Sequence, residues 1–298
     1  MDFKLLIDAK VGIAETPIWD SRIGQLYWTD VGTGDIYRYD PEEGTQEVWK
    51  TGKMIGSAIP TDDPDKMFCA LDGGLFLFDL ETEKLKFLCD PDERPDYRYN
   101  DSRIDAKGRI FTSSVSTVYG SDDYTPDMKG NFYMVDKDGT VTELVSGVNQ
   151  YNGIVWNKDN TKMIVVDTYN YKLLVFPYDI ERGPTGPCEK EVDVEAFGMP
   201  DGVSIDEEDN LYVCHWAGKV SVWDKDLNNT GIVDFPVEYA ACGGFGGADM
   251  RDFYVASASW GYTEEELDKN PGAGGIFIAR VETAGRPDYF YNTAGGSP

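Results

Sequence analysis

The sequence predicts an all-β fold: a six-bladed β-propeller formed by residues 1–298 as one domain, its ring closed by the N-terminal strand. Three observations carry this. Short apolar segments of strand length recur along the whole chain at propeller-blade spacing. A second family of strand-like segments follows each of the first, and a third precedes it. Helical periodicity is scarce, which disfavours the competing two-domain α+β arrangement.

The first family reads "GQLYWTD" (24–30), "DKMFCALD" (65–72), "GRIFTSS" (108–114), "TKMIVVDT" (161–168), "DNLYVCHW" (209–216) and "RDFYVASAS" (251–259). Anchored on Tyr27, Phe68, Phe111, Ile164, Tyr212 and Tyr254, the spacings are 41, 43, 53, 48 and 42 residues. These segments are rich in aromatic and β-branched residues, which suit a pleated, packed surface. The second family is "GDIYRYDP" (34–41), "GGLFLFDL" (73–80), "GNFYMVDK" (130–137), "YKLLVFPYD" (171–179), "GKVSVWDK" (218–225) and "GGIFIARV" (274–281). Outermost strands are weaker, with candidates at 46–49, 84–88 and 140–144. The N-terminal "FKLLID" precedes the first full unit and is the natural closing strand of the last blade. The best helix is "TEEELDKN" (263–270), about two turns.

The third family is "ETPIWD" (15–20), "SAIPTD" (57–62), "NDSRID" (100–105), "NGIVWN" (152–157), "DGVSID" (201–206) and "GFGGAD" (244–249). Asp or Asn stands five positions after each leading residue. If these are the innermost strands, the leading residues Glu15, Ser57, Asn100, Asn152, Asp201 and Gly244 converge near one mouth of the central channel. Four carry carboxylate or amide oxygens, the donors of a hard divalent cation. Ca²⁺ is the first choice, and Mn²⁺, Zn²⁺ or Fe²⁺ also accept such ligands. Read one at a time, Asn152-Gly153 and Asp201-Gly202 are ordinary turn pairs. Strand alternation sends the connections between second and third strands to this same mouth. Two of them are long, at 113–130 and 257–275, as lids and specificity loops are.

Composition narrows the function. The chain has 54 acidic and 27 basic residues, a net charge of −27, and no basic cluster. Nucleic acid and anionic membrane surfaces are therefore not expected partners. The five cysteines form no C-x-x-C pair, so reduced thiols in a cytoplasmic protein are expected rather than a disulfide framework. The N-terminal "MDFKLLIDAK" has no long apolar stretch, so no signal peptide is expected, and no apolar run approaches membrane-spanning length. His215 is the single histidine, and no G-x-S-x-G occurs, which leaves little room for a His-rich zinc site or a Ser-His-Asp triad. "GGFGG" (243–247) lacks the Lys-Ser/Thr of a phosphate-binding loop.

Five stretches resemble the SMP-30/gluconolactonase/luciferin-regenerating-enzyme family of six-bladed propellers: "AETPIWD", "RYNDSRIDAKGRIF", "NGIVWNKDNTKMIVVDTYNYKLLVFPYD", "PDGVSIDEEDNLYVCHWAGKV" and "GGADMRDFYVASAS". The resemblance covers nearly the whole chain. It implies one divalent metal at the channel mouth, held by Glu15, Asn152 and Asp201, with Asp201 also the general base. It places substrate contacts at Arg98 and Asn100, and it implies a small sugar lactone as substrate, hydrolysed to the free acid. A non-catalytic, metal-stabilised binding propeller and a hydrolase of other esters are the alternatives. The sequence departs from the family at Ala14 and Thr16, where glycines usually flank the first Glu, and at Ser102, where Gly usually follows "ND".

Overall fold

The structure, a computed structural model, describes residues 1–118, 125 and 127–293. Its first five sheets follow one another in chain order, each built outward from an inner strand: Ala14–Asp20, Ile55–Pro60, Tyr97–Ile104, Tyr151–Trp156 and Pro200–Ile205. The sixth inner strand is Ala240–Gly246, which contacts both Pro200–Ile205 and Ala14–Asp20, so the inner strands form a closed ring. The sixth sheet is completed by Lys4–Ile7, which pairs antiparallel with Ile276–Arg280. The N-terminal strand thus closes the ring as the sequence predicted. Phe3 locks it by packing 5.1 Å edge-on against Phe235, between blades five and six. The fourth blade has a split outer edge, with Gly183–Pro184 and Lys190–Asp193 both paired to Lys172–Asp179.

The Asp or Asn that recurs in the sequence has a local cause in five blades. Asp20, Asp105, Asn157, Asp206 and Asp249 each accept backbone N–H groups from the turn that follows, such as Lys107 and Arg109 N–H on Asp105 Oδ1. These are Asx-type turns at the inner hairpin. Asp62 of the second blade instead accepts the backbone N–H and hydroxyl of Thr293.

Every inner strand carries a register break at the same level, for example between Glu15 and Ile18, Asn152 and Ile154, and Pro200 and Val203. Bulges of this kind re-aim side chains beside functional sites. They also correct the sequence alignment. Tyr27, Phe68, Phe111, Ile164, Tyr212 and Tyr254 pair with Ile18, Ile59, Arg103, Val155, Ser204 and Gly244. Three residues before these stand Glu15, Gly56, Asn100, Asn152, Asp201 and Ala241. Ser57 and Gly244 are therefore not the counterparts in blades two and six; Gly56 and Ala241 are. The terminal Asp spacing misled because the strand ends differ in length past the bulge. The physical expectation is unchanged, since both true counterparts are small. A Cβ on Gly56 would sit 2.3 Å from the Asn100 carbonyl oxygen, so glycine is required where blades two and three meet.

The long connection predicted at 113–130 is shorter, because strands take Ile110–Ser116 and Gly130–Val135, and its residues 119–124 and 126 lie outside the described ones. The connection after Ser257 holds the predicted helix, Glu264–Lys269, with Thr263 and Glu266 forming a reciprocal capping box. One feature had no sequence signal. The C-terminal segment crosses the far end of the channel: Gly285 bridges Asp206, Asp288 lies 3.9 Å from Arg103, and Tyr291 pairs with Thr61. A cavity of about 70 Å³, lined by Arg103, Ser204, Phe245 and Asp288 among others, remains beneath it.

Candidate active site at the channel mouth

The bulges gather the predicted residues at one mouth. Asn100, Asn152 and Asp201 are buried and Glu15 is half-buried. The Asn100 amide Nδ2 donates to Asn152 Oδ1, and Asn152 Nδ2 donates to Thr168 Oγ1 at 2.9 Å. Arg98 Nη1 donates to Asn100 Oδ1 at 3.2 Å and to the Tyr99 carbonyl at 3.1 Å. Asp201 Oδ2 accepts the Trp216 indole N–H at 2.6 Å, and Glu15 Oε2 accepts the Thr16 N–H at 3.2 Å.

The electrostatics are those of crowded acids. Burial pushes the Glu15 carboxyl well above the usual range, and repulsion from Asp201 and Asp101 pushes it further. Burial raises Asp201 to about 7, with Asp101 adding to the rise and the Trp216 N–H opposing it. The Arg98 guanidinium is lowered by burial, which attraction to Glu15, Tyr169 and Asp72 only partly offsets.

Beneath the mouth lies a second ring. Asp101 is spoken for on both oxygens. Its Oδ1 accepts from Arg103 Nη1 at 2.5 Å and Ser57 Oγ at 3.3 Å; its Oδ2 accepts the Gly153 N–H at 2.9 Å. This carboxylate therefore props the site from below, bonding blades two and four to blade three. Arg103 holds its charge although burial works against it, because Asp101 and Asp288 attract the cation and the Cys242 sulfur accepts from Nη2 at 3.5 Å. A sequence signal for Arg103 existed: it stands where blades one, two and four carry Ile18, Ile59 and Val155. A charge at a repeat position where no other blade carries one marks a special environment.

Thr16 explains one departure from the family pattern. It adopts φ of +51°, the left-handed region in which a β-branched side chain is strained, so glycine is the usual occupant there. Its hydroxyl donates to the Gly56 carbonyl at 3.2 Å, a bond that glycine cannot make. His215 ends its strand beside Pro200, at the level of the site, yet its ring is fully buried. Nδ1 and Nε2 lie 3.0 Å from the Gly198 carbonyl and 2.7 Å from Ser221 Oγ, and burial lowers its pKa to about 4. It is a packed residue; its neighbour Trp216 is the one that reaches the site.

The donor set suits a hard cation. Glu15 Oε1 and Asp201 Oδ1 accept no hydrogen bond from the described residues, and their charges repel. Asn152 Oδ1 has a second lone pair beside the one Asn100 uses. Among the described residues no three His, Cys, Asp or Glu side chains are placed to hold a metal, so a cation here requires the amide oxygen as well.

Residues 13–259 match the SMP-30/Gluconolactonase/LRE-like region. The chain belongs to this family. Among its relatives, pentonolactonase XacC of Haloferax volcanii is 28% identical over 95% of this chain and 96% of its own length. Regucalcin of Danio rerio is 28% identical over 96% and 97%. The crystal structure of a calcium-binding protein, regucalcin, from Agrobacterium tumefaciens superposes with a TM-score of 0.89 at 26% identity, covering 97% of each chain. The family assignment and the closed ring of six sheets agree on the propeller. No helix among the described residues is long and apolar enough to cross a membrane.

Proposed function

We propose that this protein hydrolyses a neutral sugar aldonolactone to the free sugar acid, with one divalent cation held by Glu15, Asn152 and Asp201. The observation that carries the reading is the pair of repelling acids, Glu15 and Asp201, each with an oxygen that accepts no hydrogen bond from the described residues, beside an Asn amide oxygen at the channel mouth. Ca²⁺ is the favoured cation, supported by the carboxylate and amide donors and by the calcium-binding relative, with Zn²⁺, Mn²⁺ or Fe²⁺ as alternatives. The lactonase relative XacC supports the substrate class.

When bound, the cation supplies Lewis-acid polarisation of the lactone carbonyl and acidifies water. Asp201 takes the proton from the water that adds to the carbonyl carbon. The ring C–O bond then breaks, and Asp201 returns the proton to the departing ring oxygen. Trp216 fixes the Asp201 carboxylate by its indole bond. Arg98 and Asn100 orient the sugar hydroxyls, Asn100 being held in turn by Arg98 and Asn152. The sugar acid leaves as an anion from a protein of net charge −27, which opposes its return.

The test is metal analysis of the purified protein coupled to pH-stat hydrolysis of five- and six-carbon aldonolactones, with and without chelator. Chelator-sensitive acid release is expected. No turnover of any lactone with metal present overturns the reading and leaves a metal-stabilised binding propeller.

A further inference from the structure

One side of the mouth is walled by four aromatic rings, of which the proposed reaction uses only Trp216. Trp216, bonded to Asp201, is the first. Tyr239, on the connection into blade six, lies 4.7 Å from it between ring centres, tilted by 33°. The loop after Ser257, whose role the sequence left open, adds the other two. Trp260 stands 6.3 Å from Trp216, and Tyr262 stands 5.2 Å from Tyr239. Trp260 is 60% exposed, the most exposed large hydrophobic side chain among the described residues. The rings are tilted by 33–59° to one another, so they form an open, curved platform rather than a slot.

We infer that this platform is a second sugar subsite, and that the preferred substrate is a disaccharide aldonolactone whose second, non-reacting ring packs on Trp260. The inference rests on the lactonase reading, which places the reacting ring beside Asp201. The next ring of a linked sugar then falls where the wall continues outward from Trp216. The chemistry favours a polyol over the two simpler occupants. A purely apolar group gains most from enclosure, and this surface is open. An anionic group meets a carboxylate at the rim, Glu238, which accepts the Tyr262 hydroxyl at 3.0 Å. A neutral sugar ring offers apolar C–H faces to the indole and hydroxyls to that carboxylate.

The test compares kcat/KM for a disaccharide aldonolactone and for gluconolactone in the wild type, Trp260→Ala and Trp260→Phe. The wild type is expected to favour the disaccharide lactone. Trp260→Ala is expected to lower the disaccharide-to-monosaccharide ratio roughly tenfold, and Trp260→Phe to restore most of it. An unchanged ratio, or an equal loss on both lactones, overturns the inference. A second readout does not need turnover. A disaccharide alditol should quench tryptophan fluorescence of the wild type at lower concentration than glucitol, and the difference should vanish in Trp260→Ala. If no lactone is hydrolysed but this alditol difference is present, the lactonase reading fails and the subsite stands. If lactones are hydrolysed without any such preference, the subsite fails alone. Tighter quenching by an aryl alcohol than by the disaccharide alditol also overturns it.

Discussion

Replacing Asp101 by Asn tests the architecture beneath the site most directly. The substitution keeps size and an acceptor oxygen but removes the charge that faces Arg103. In the native protein the two side chains are 5% and 7% exposed and 2.5 Å apart. Breaking a buried pair by removing one partner costs about 3–5 kcal/mol, because the remaining charge is uncompensated. Asp288, 3.9 Å from Arg103 Nε, partly compensates, so the lower end of about 3 kcal/mol is expected. For a chain of 298 residues that corresponds to a fall in Tm of about 5 °C. The assay is denaturant and thermal unfolding of Asp101→Asn, Arg103→Met and the double variant. Because Arg103→Met also strands Asp101, the double variant should be more stable than the sum of the two singles implies, by about 1–3 kcal/mol. Effects that add within about 0.5 kcal/mol would refute the coupling, and with it the view that this pair holds the mouth together.

Asp201→Asn should lower lactone turnover by roughly 10²–10⁴-fold at cation concentrations that saturate the variant, read by pH-stat with calorimetry for the cation; undiminished turnover removes Asp201 from the proton transfers. Phe3→Ala should cost about 3 kcal/mol in denaturant unfolding, since Phe3 seals the closing strand against Phe235 and Phe253, and a change below about 1 kcal/mol would mean that closure does not depend on it. Gly153→Ala should cost about 2 kcal/mol or more, because φ is +44° and the added Cβ would lie 2.5 Å from the Val203 nitrogen; a Tm equal to wild type would contradict this. His215 is held neutral in the fold with a pKa of about 4, below its ordinary 6.5, so its contribution is fully present above pH 6.5 and is lost as pH falls toward 4. His215→Asn should therefore remove about 3 kcal/mol of the stability difference between pH 7 and pH 4, and an identical pH dependence in both proteins would exclude the assignment.

The blade count, the order of strands within each blade and the closing N-terminal strand were legible in the sequence. Each is recorded locally, in apolar strand segments at repeat spacing and in the Asp or Asn that caps an inner turn. The same repeat pointed to Glu15, Asn100, Asn152 and Asp201 as residues of one mouth, because a ring converts equal positions along the chain into neighbours in space. What the repeat did not hold was the register past the bulges, which moved the counterparts in blades two and six from Ser57 and Gly244 to Gly56 and Ala241. Hydrogen-bond pairing between strands settles that, and spacing along one strand does not contain it.

Other features belong to the tertiary structure alone. Asp101 and Arg103 are two residues apart in sequence, yet their pairing matters because Ser57, Gly153, Cys242 and Asp288 converge on them from four other segments. The raised carboxyls of Glu15 and Asp201 arise from burial and from the approach of other carboxylates, Asp101 to both and Asp201 to Glu15, neither of which a one-dimensional pattern specifies. The aromatic wall joins Trp216, Tyr239, Trp260 and Tyr262 from three connections, and the C-terminal segment crosses the channel far from its neighbours in the chain. Sequence determined which strands exist and where the repeat places its oxygen donors. Folding decided which charges share a low-dielectric space, and that sharing is what gives them their chemistry.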